Sequence, residues 1–244
     1  TDAAREGGVE EVLEWVEEMR YRGQEPNAKT YNGILSSYMN RDDLPMVLEI
    51  FQAMQDEEGI TPDKATYSIL MTAYANGGLL LEAEGLLKTM KEKHGIQPNL
   101  FHYATLINAH AKNLDEKEIS RIMETINDAG LDAADDKVVF TCIIDNCAKR
   151  FYDAEALPMA ERWFRKMLDY DVPADRQTYN AMLFLSKYRD LEKFVFYAKM
   201  MADDENVEMN NPKTTKHLKD VAGRSEISPQ VSSQLSRIIN SQCQ

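Results

Sequence analysis

The sequence predicts an all-α fold, a right-handed α-solenoid of about five stacked antiparallel helix pairs with partial units at both ends. Three observations carry that prediction. Aromatic residues recur in one local frame at Tyr31, Tyr67, Tyr103, Phe140 and Tyr179, with gaps of 36, 36, 37 and 39 residues. Met54, Met90 and Ile126 each follow an aromatic of that series by 23 residues. A turn signal then closes each unit, as in Gly59–Asp63 (GITPD), Gly95–Asn99 (GIQPN) and Asp171–Asp175 (DVPAD). A fixed period of this size marks supersecondary units that stack, because one helix pair alone cannot bury its apolar faces.

The elements follow in chain order. Residues 1–27 hold only a second-helix pattern, with Val9, Val12, Leu13, Val16 and Met19 on one stripe. The missing first helix raises the expectation of either a part of a longer protein or an atypical capping unit. Units 28–63, 64–99, 100–136, 137–175 and 176–210 each open with a first helix. Tyr31, Ile34, Leu35 and Tyr38 set its i, i+3, i+4, i+7 stripe. The same stripe returns at Tyr67, Leu70, Met71 and Tyr74, at Tyr103, Leu106, Ile107 and His110, and at Phe140, Ile143, Ile144 and Cys147. A second stripe, Val47, Ile50, Phe51 and Met54, is matched by Ala83, Leu86, Leu87 and Met90. Glycine at the helix end tolerates a left-handed backbone, proline cannot continue the helix, and Asp63, Asn99 and Asp175 are good caps for the next one. Unit 137–175 has a longer connection between its helices, around Arg150–Pro158. Its Arg150, Phe151, Tyr152 and Pro158 are candidates for a protein interface, since insertions in repeat proteins gather on one face. Residues 211–244 read as a partial repeat and a capping tail. Within it, Ser228 and Pro229 open a short helix with Val231, Leu235 and Ile238 as its apolar stripe.

The segments Ala28–Leu35 (AKTYNGIL), Leu48–Met54 (LEIFQAM) and Gly59–Asp63, repeated at Lys64–Leu70, Glu82–Met90 and Arg176–Leu183, resemble the pentatricopeptide repeat (PPR) family. The resemblance extends over most of 9–210. It implies a solenoid that binds single-stranded RNA, one base per repeat, in a mitochondrion or chloroplast. In such repeats, side chains reach the edge of an unstacked base. Carried over, the base-reading pairs are Asn32 with Asp63, Ser68 with Asn99, Ala104 with Asp136, Thr141 with Asp175, and Asn180 with Asn210. The family's code assigns them U, A, no reading, G, and C or U. At the base-stacking positions stand Lys29, Ala65, Phe101, Val138 and Gln177, of which Phe101 and Val138 suit the role. The phosphate-contact candidates are Lys112 and Lys149, with Lys187 or Arg189 one place off in the last unit.

Charge leaves a second reading open. The chain carries 28 basic and 41 acidic residues, a net charge of −13. Nucleic-acid affinity draws on Lys and Arg at phosphate, and the expected footprint is a basic stripe. Here that requires acids segregated onto the outer helices; otherwise the chain is an acidic protein-interaction scaffold within a larger organellar assembly. No run approaches the roughly 18 apolar residues of a membrane span. Three cysteines, Cys142, Cys147 and Cys243, point to no disulfide framework. Cys142 and Cys147 lack metal-ligand spacing, and His102 and His110 stand eight apart on one helix. No phosphate-binding glycine loop and no supported carboxylate pair is found. The expectation is a non-enzymatic protein with no cofactor, no metal and no small-molecule substrate, whose partners are RNA or other proteins.

Overall fold

The computed structural model describes residues 3–132, 137–207, 211–224 and 227–241. Among them, thirteen α-helices and no strand are found. They are α1 (Ala3–Tyr21), α2 (Ala28–Met39), α3 (Leu44–Asp56), α4 (Lys64–Asn76), α5 (Leu80–His94), α6 (Leu100–Ala111), α7 (Glu116–Asp128), α8 (Val138–Lys149), α9 (Ala156–Asp169), α10 (Arg176–Ser186), α11 (Leu191–Asp203), α12 (Pro212–Ala222) and α13 (Pro229–Ser241). The fold is an all-α solenoid of stacked helix pairs. The chain divides into two compact units, residues 1–109 and 110–244.

In the first unit, α2 packs on α3 and on α4, α4 on α5, and α1 on α3. First helices therefore lie beside first helices, and second helices beside second helices. The core is built from the repeating stripes: Val12, Val16, Tyr31, Leu35, Val47, Ile50, Met54, Tyr67, Leu70 and Met90 are all within 1 % of full burial. Each such side chain contributes about 1.5–3 kcal/mol by leaving water. The second unit repeats the plan. There α10 lies against α8 and α12, α8 against α9, and α11 against α13. Trp163 and Phe194 are its largest fully buried side chains together with Phe140, whose ring centroid lies 6.4 Å from that of Trp163.

The recurring tyrosine does two jobs. Its ring fills the core, and in two repeats its hydroxyl donates to an acid at the end of the second helix. The partners are Glu57 for Tyr31 and Asp204 for Tyr179, each at 3.2 Å. Burial first, and then the neighbouring carboxylate, push both phenols up to about 12. Phe140 holds the same slot without a hydroxyl, so the ring is the constant and the bond is an addition.

Turns repeat as closely as helices. The backbone enters the left-handed region at Gly23, Gly59, Gly95, Gly130 and Asp171 after second helices, and at Asp42, Gly78 and Leu114 after first helices. At Gly95 the chain closes α5 with Gly95 N–H on Lys91 O (3.1 Å) and Ile96 N–H on Met90 O (2.9 Å), which satisfies two carbonyls the helix end leaves open.

One departure from the sequence reading has a simple cause. Pro158 is not in the connecting loop: α9 begins at Ala156, and the proline sits in its first turn, where no helical partner awaits an N–H. Beyond residue 210 the chain forms two helices, α12 packed on α10 and α13 on α11. The α12 pattern is weak in sequence because Thr215 stands where the other repeats place an aromatic, and burial falls on Thr214, His217, Leu218 and Val221 instead. In α13, Ser228 Oγ accepts from Val231 N–H at 3.3 Å and Leu235 is fully buried.

Ile50→Ala, at a fully buried position, is expected to cost about 2–5 kcal/mol in urea denaturation of the whole chain. Leu81→Ala, on a side chain 83 % exposed, is expected to stay within about 0.5 kcal/mol.

Candidate nucleic-acid interface

The base-reading candidates are not loose side chains. They belong to a hydrogen-bonded clasp that recurs between repeats. Asn32 Nδ2 donates to Asp63 Oδ1 at 3.0 Å, and Asn32 Oδ1 accepts from the Thr66 hydroxyl at 2.7 Å. Asp63 caps α4 by accepting from Thr66 N–H at 2.8 Å, while Asp63 N–H donates to Thr66 Oγ1 at 3.1 Å. One residue from each repeat and the cap between them thus form a closed set, with Asn32 8 % exposed and Thr66 fully buried.

The next clasp uses other chemistry on the same frame. Asn99 N–H donates to His102 Nδ1 at 3.1 Å, so the ring proton resides on Nε2, which lies 3.2 Å from Ser68 Oγ. Burial favours this neutral ring and holds the His102 pKa below the ordinary range. In the second unit the Thr141 and Thr178 hydroxyls lie 3.5 Å apart, and Asp175 Oδ1 accepts from Thr178 N–H at 3.0 Å. Asn180 Oδ1 accepts from Thr214 Oγ1 at 2.9 Å, and Asn211 caps α12 by accepting from Thr214 N–H at 3.0 Å.

That last clasp identifies a residue missed in the sequence. Asn210 lies outside the described residues, as does Asp136, and the cap that joins Asn180's partner is Asn211. The signal was available: Asn32 to Asp63, Ser68 to Asn99 and Asn180 to Asn211 all span 31 residues, and Pro212 marks the first helical position. Ala104, which offers no hydrogen bond, is buried on α6.

Burial pushes the Asp63 carboxyl up, but hydrogen bonds from Thr66 N–H, the Asn32 amide and the Thr66 hydroxyl outweigh it and leave its pKa below the ordinary value. Asp175 is lowered in the same way, against burial, by Thr178 and Lys137.

Of the phosphate-contact candidates, Lys112 and Lys149 are exposed at the ends of first helices. Lys187 is a correction. It is only 4 % exposed, with Nζ donating to His217 Nδ1 at 3.4 Å, standing 3.5 Å from Asp220 and lying over the Tyr188 ring at 4.7 Å. Enclosed in this way, it offers no ammonium group to a phosphate. Arg189 is exposed but has a structural bond, Nε to Phe151 O at 3.0 Å. Arg150 and Arg224 do the same, to Lys112 O at 3.2 Å and Lys187 O at 2.6 Å. These three arginines brace the end of one first helix to the end of the one before it.

Phe101 and Val138, the stacking candidates, are 58 % and 53 % exposed on α6 and α8. The loop aromatics divide. Tyr152 is 68 % exposed, whereas Phe151 turns onto α10, its ring centroid 5.2 Å from Phe184 and 5.9 Å from Tyr188.

Charge is segregated by helix type. By sequence, the first helices α2, α4, α6, α8, α10 and α12 carry seven Lys or Arg against two Asp or Glu. The second helices α1, α3, α5, α7, α9, α11 and α13 carry thirteen against nineteen. The acidity also differs by unit: residues 1–109 hold nine basic and eighteen acidic residues, residues 110–244 nineteen and twenty-three.

Among the described residues, no group of three or more His, Cys, Asp or Glu side chains could hold a metal ion, and no helix is long and apolar enough to cross a membrane. Cys147 is core: burial pushes its thiol up to about 12.

Three family models match the chain: PPR repeat family over residues 26–76, PPR repeat over 65–94, and pentatricopeptide repeat domain over 85–150. No curated protein sequence matches it. Among solved structures, the pentatricopeptide repeat protein PPR10 in complex with an 18-nt psaJ RNA element aligns with a TM-score of 0.64 at 23 % identity, over 75 % of this chain and 26 % of its own. PPR10 from maize aligns at 0.51 and 18 % identity, over 97 % and 39 %. Nuclear proteinaceous RNase P 2 from A. thaliana aligns at 0.57 and 11 % identity, over 79 % and 41 %. The chain thus spans about a quarter of the length of the first of these, and at such identities the likeness is one of fold.

Thr66→Val removes the hydroxyl that Asn32 and Asp63 share. It is expected to cost about 1–3 kcal/mol in chemical denaturation, since a buried acceptor is left unpaired, while Thr66→Ser costs less. His217 gives a pH test. Burial, then the Lys187 charge, lower its pKa to about 4, against about 6.5 in an unfolded chain. Between these values the unfolded chain binds more protons than the folded one, so stability falls as pH drops from about 6.5 to about 4. Melting temperatures measured across that window are expected to decline in the parent and to decline less steeply in His217→Gln, where buried His102 still contributes.

Proposed function

The chain belongs to the pentatricopeptide repeat family, and from that we propose that it is a non-enzymatic adaptor that binds single-stranded RNA along its first helices. Its setting on this reading is a mitochondrion or chloroplast, where occupation of a short RNA site serves transcript stability, processing or translation. The observation that carries the proposal is the charge separation. A chain of net charge −13 places seven basic and two acidic residues on its first helices. Polyanion binding needs local positive charge rather than a positive whole. The clasps support the reading further. A side chain fixed by two partners keeps its remaining hydrogen-bonding capacity aimed in one direction, so little ordering entropy is lost when a base edge meets it. Ser68 and Thr141, half-buried, and the caps Asp63, Asn99, Asp175 and Asn211 are the candidate readers, with Lys112 and Lys149 at phosphate.

The competing reading, a protein-interaction scaffold, draws on α1. There Trp15 is 54 % exposed and Tyr21 88 %, among Glu10, Glu14, Glu17 and Glu18. A salt titration of oligonucleotide binding separates the two. Affinity is expected to fall with log salt at a slope near −0.7 for each phosphate contact, and Lys149→Gln to reduce that slope by about 0.7. Absence of binding at low salt by every single-stranded oligonucleotide tried, the coded sequence included, defeats the RNA reading.

A further inference from the structure

In the second unit, α8, α10 and α12 leave a cleft of about 360 Å³ on the first-helix side. The volume lies in the range of small-molecule sites, about 300–1,000 Å³. Its polar and aromatic walls are Asp145, Lys149, Phe151, Asn180, Phe184 and Lys213, and its floor is formed by small residues, Ala148 and Ala181. A neighbouring cleft of about 460 Å³ shares Asp145, Asn180 and Lys213 and continues toward the caps Asp175 and Asn211. Neither Phe101 nor Val138 lines either one.

We propose that this cleft is an aromatic nucleotide site: one unstacked RNA base lies on Phe184 beside Phe151, and Lys149 and Lys213 hold the phosphates on either side of it. The proposal rests on the RNA-binding reading and says where the second unit would grip the strand.

Three features point to this occupant. At the helix starts of α10 and α12 the exposed side chains are Arg176, Gln177, Pro212 and Lys213, and the Gln177 amide is bonded to Asp145. A base placed there meets no aromatic face among these side chains. Two turns further along α10, Phe184 supplies one, and base–aromatic stacking tolerates any base because every base has a π-face. The shelf is also rigid. Phe184 is held by Phe151 at 5.2 Å, Tyr188 at 5.9 Å and His217 at 5.8 Å, with the Lys187 ammonium 5.3 Å from its centroid. Finally, the cations at the mouth are uncommitted: the ammonium groups of Lys149 and Lys213 pair with no carboxylate among the described residues, in a chain where Lys137, Arg162, Lys187 and Lys193 all do. Apolar floor, π-face and flanking cations match the three parts of a nucleotide. Asp145 gives the site a hydrogen-bond acceptor, which suits a base that presents an amino group.

The test is fluorescence anisotropy of the full chain with a labelled single-stranded oligonucleotide and with a set in which one base at a time is replaced by an abasic residue. The parent is expected to lose about tenfold in affinity for one abasic position near the end of the site that the second unit covers. Phe184→Leu, which keeps apolar volume and removes the π-face, is expected to bind the intact strand about tenfold more weakly and to become insensitive to that same abasic position. Lys149→Gln with Lys213→Gln, both on the surface, is expected to keep the melting temperature and to lower the salt slope by about 1.4. If Phe184→Leu binds like the parent, or remains sensitive to every abasic position, the cleft assignment is wrong while RNA binding by the chain stands. If the parent binds no oligonucleotide at all, the RNA reading fails and the cleft assignment falls with it.

Discussion

Four joints between repeats in this protein turn on one short hydrogen-bonded set, in which the cap of a first helix is bonded to the residue three positions on, and that residue ties the helix to the one before it. A helix start leaves backbone N–H groups without partners, and burying it against a neighbour makes that deficit costly. Asp63, Asn99, Asp175 and Asn211 remove the deficit, and Thr66, His102, Thr178 and Thr214 carry the bond across to Asn32, Ser68, Thr141 and Asn180. The apolar stripes hold the stack together, but they are tolerant of exchange: Tyr31, Phe140 and Tyr179 serve equally. The polar set fixes register, because an amide, a hydroxyl or an imidazole bonds only at the right distance and angle.

The same constraint shapes the proposed recognition surface. Side chains already bonded within the fold have fewer free donors and acceptors, but those that remain point in a fixed direction. The arginines Arg150, Arg189 and Arg224 commit their guanidinium groups to backbone carbonyls of the preceding repeat, and Lys187 is enclosed by His217, Asp220 and Tyr188. Positive charge left for a ligand therefore comes from a few residues, Lys112, Lys149 and Lys213 among them. An acidic chain can present such a surface because its carboxylates are placed mostly on second helices and in the turns.

Much of the architecture was legible in the chain itself. The period of the tyrosines, the stripes that follow them and the Gly–Pro–Asp turns specify local structure and its repetition, which depend on residue type and spacing alone. The joint was half legible: Asp63, Asn99 and Asp175 could be recognised as caps, but Thr66 and His102 carry no signal that marks them as partners of residues 34 positions earlier. The cap of α12 falls on Asn211, one residue beyond Asn210, and the frame is hard to read there because Thr215 replaces the aromatic that sets it elsewhere. Lys187 looked like a phosphate ligand because spacing places it at a helix end and says nothing of what encloses it.

The sequence by itself determined the helix pairs, their period and the caps between them, since each follows from a short-range pattern of size, polarity and backbone freedom. Tertiary structure alone decided which polar side chains are consumed and which remain for a ligand. Burial and pairing depend on neighbours one repeat away, and so Lys149 stands exposed while Lys187, 38 residues further on, is closed in.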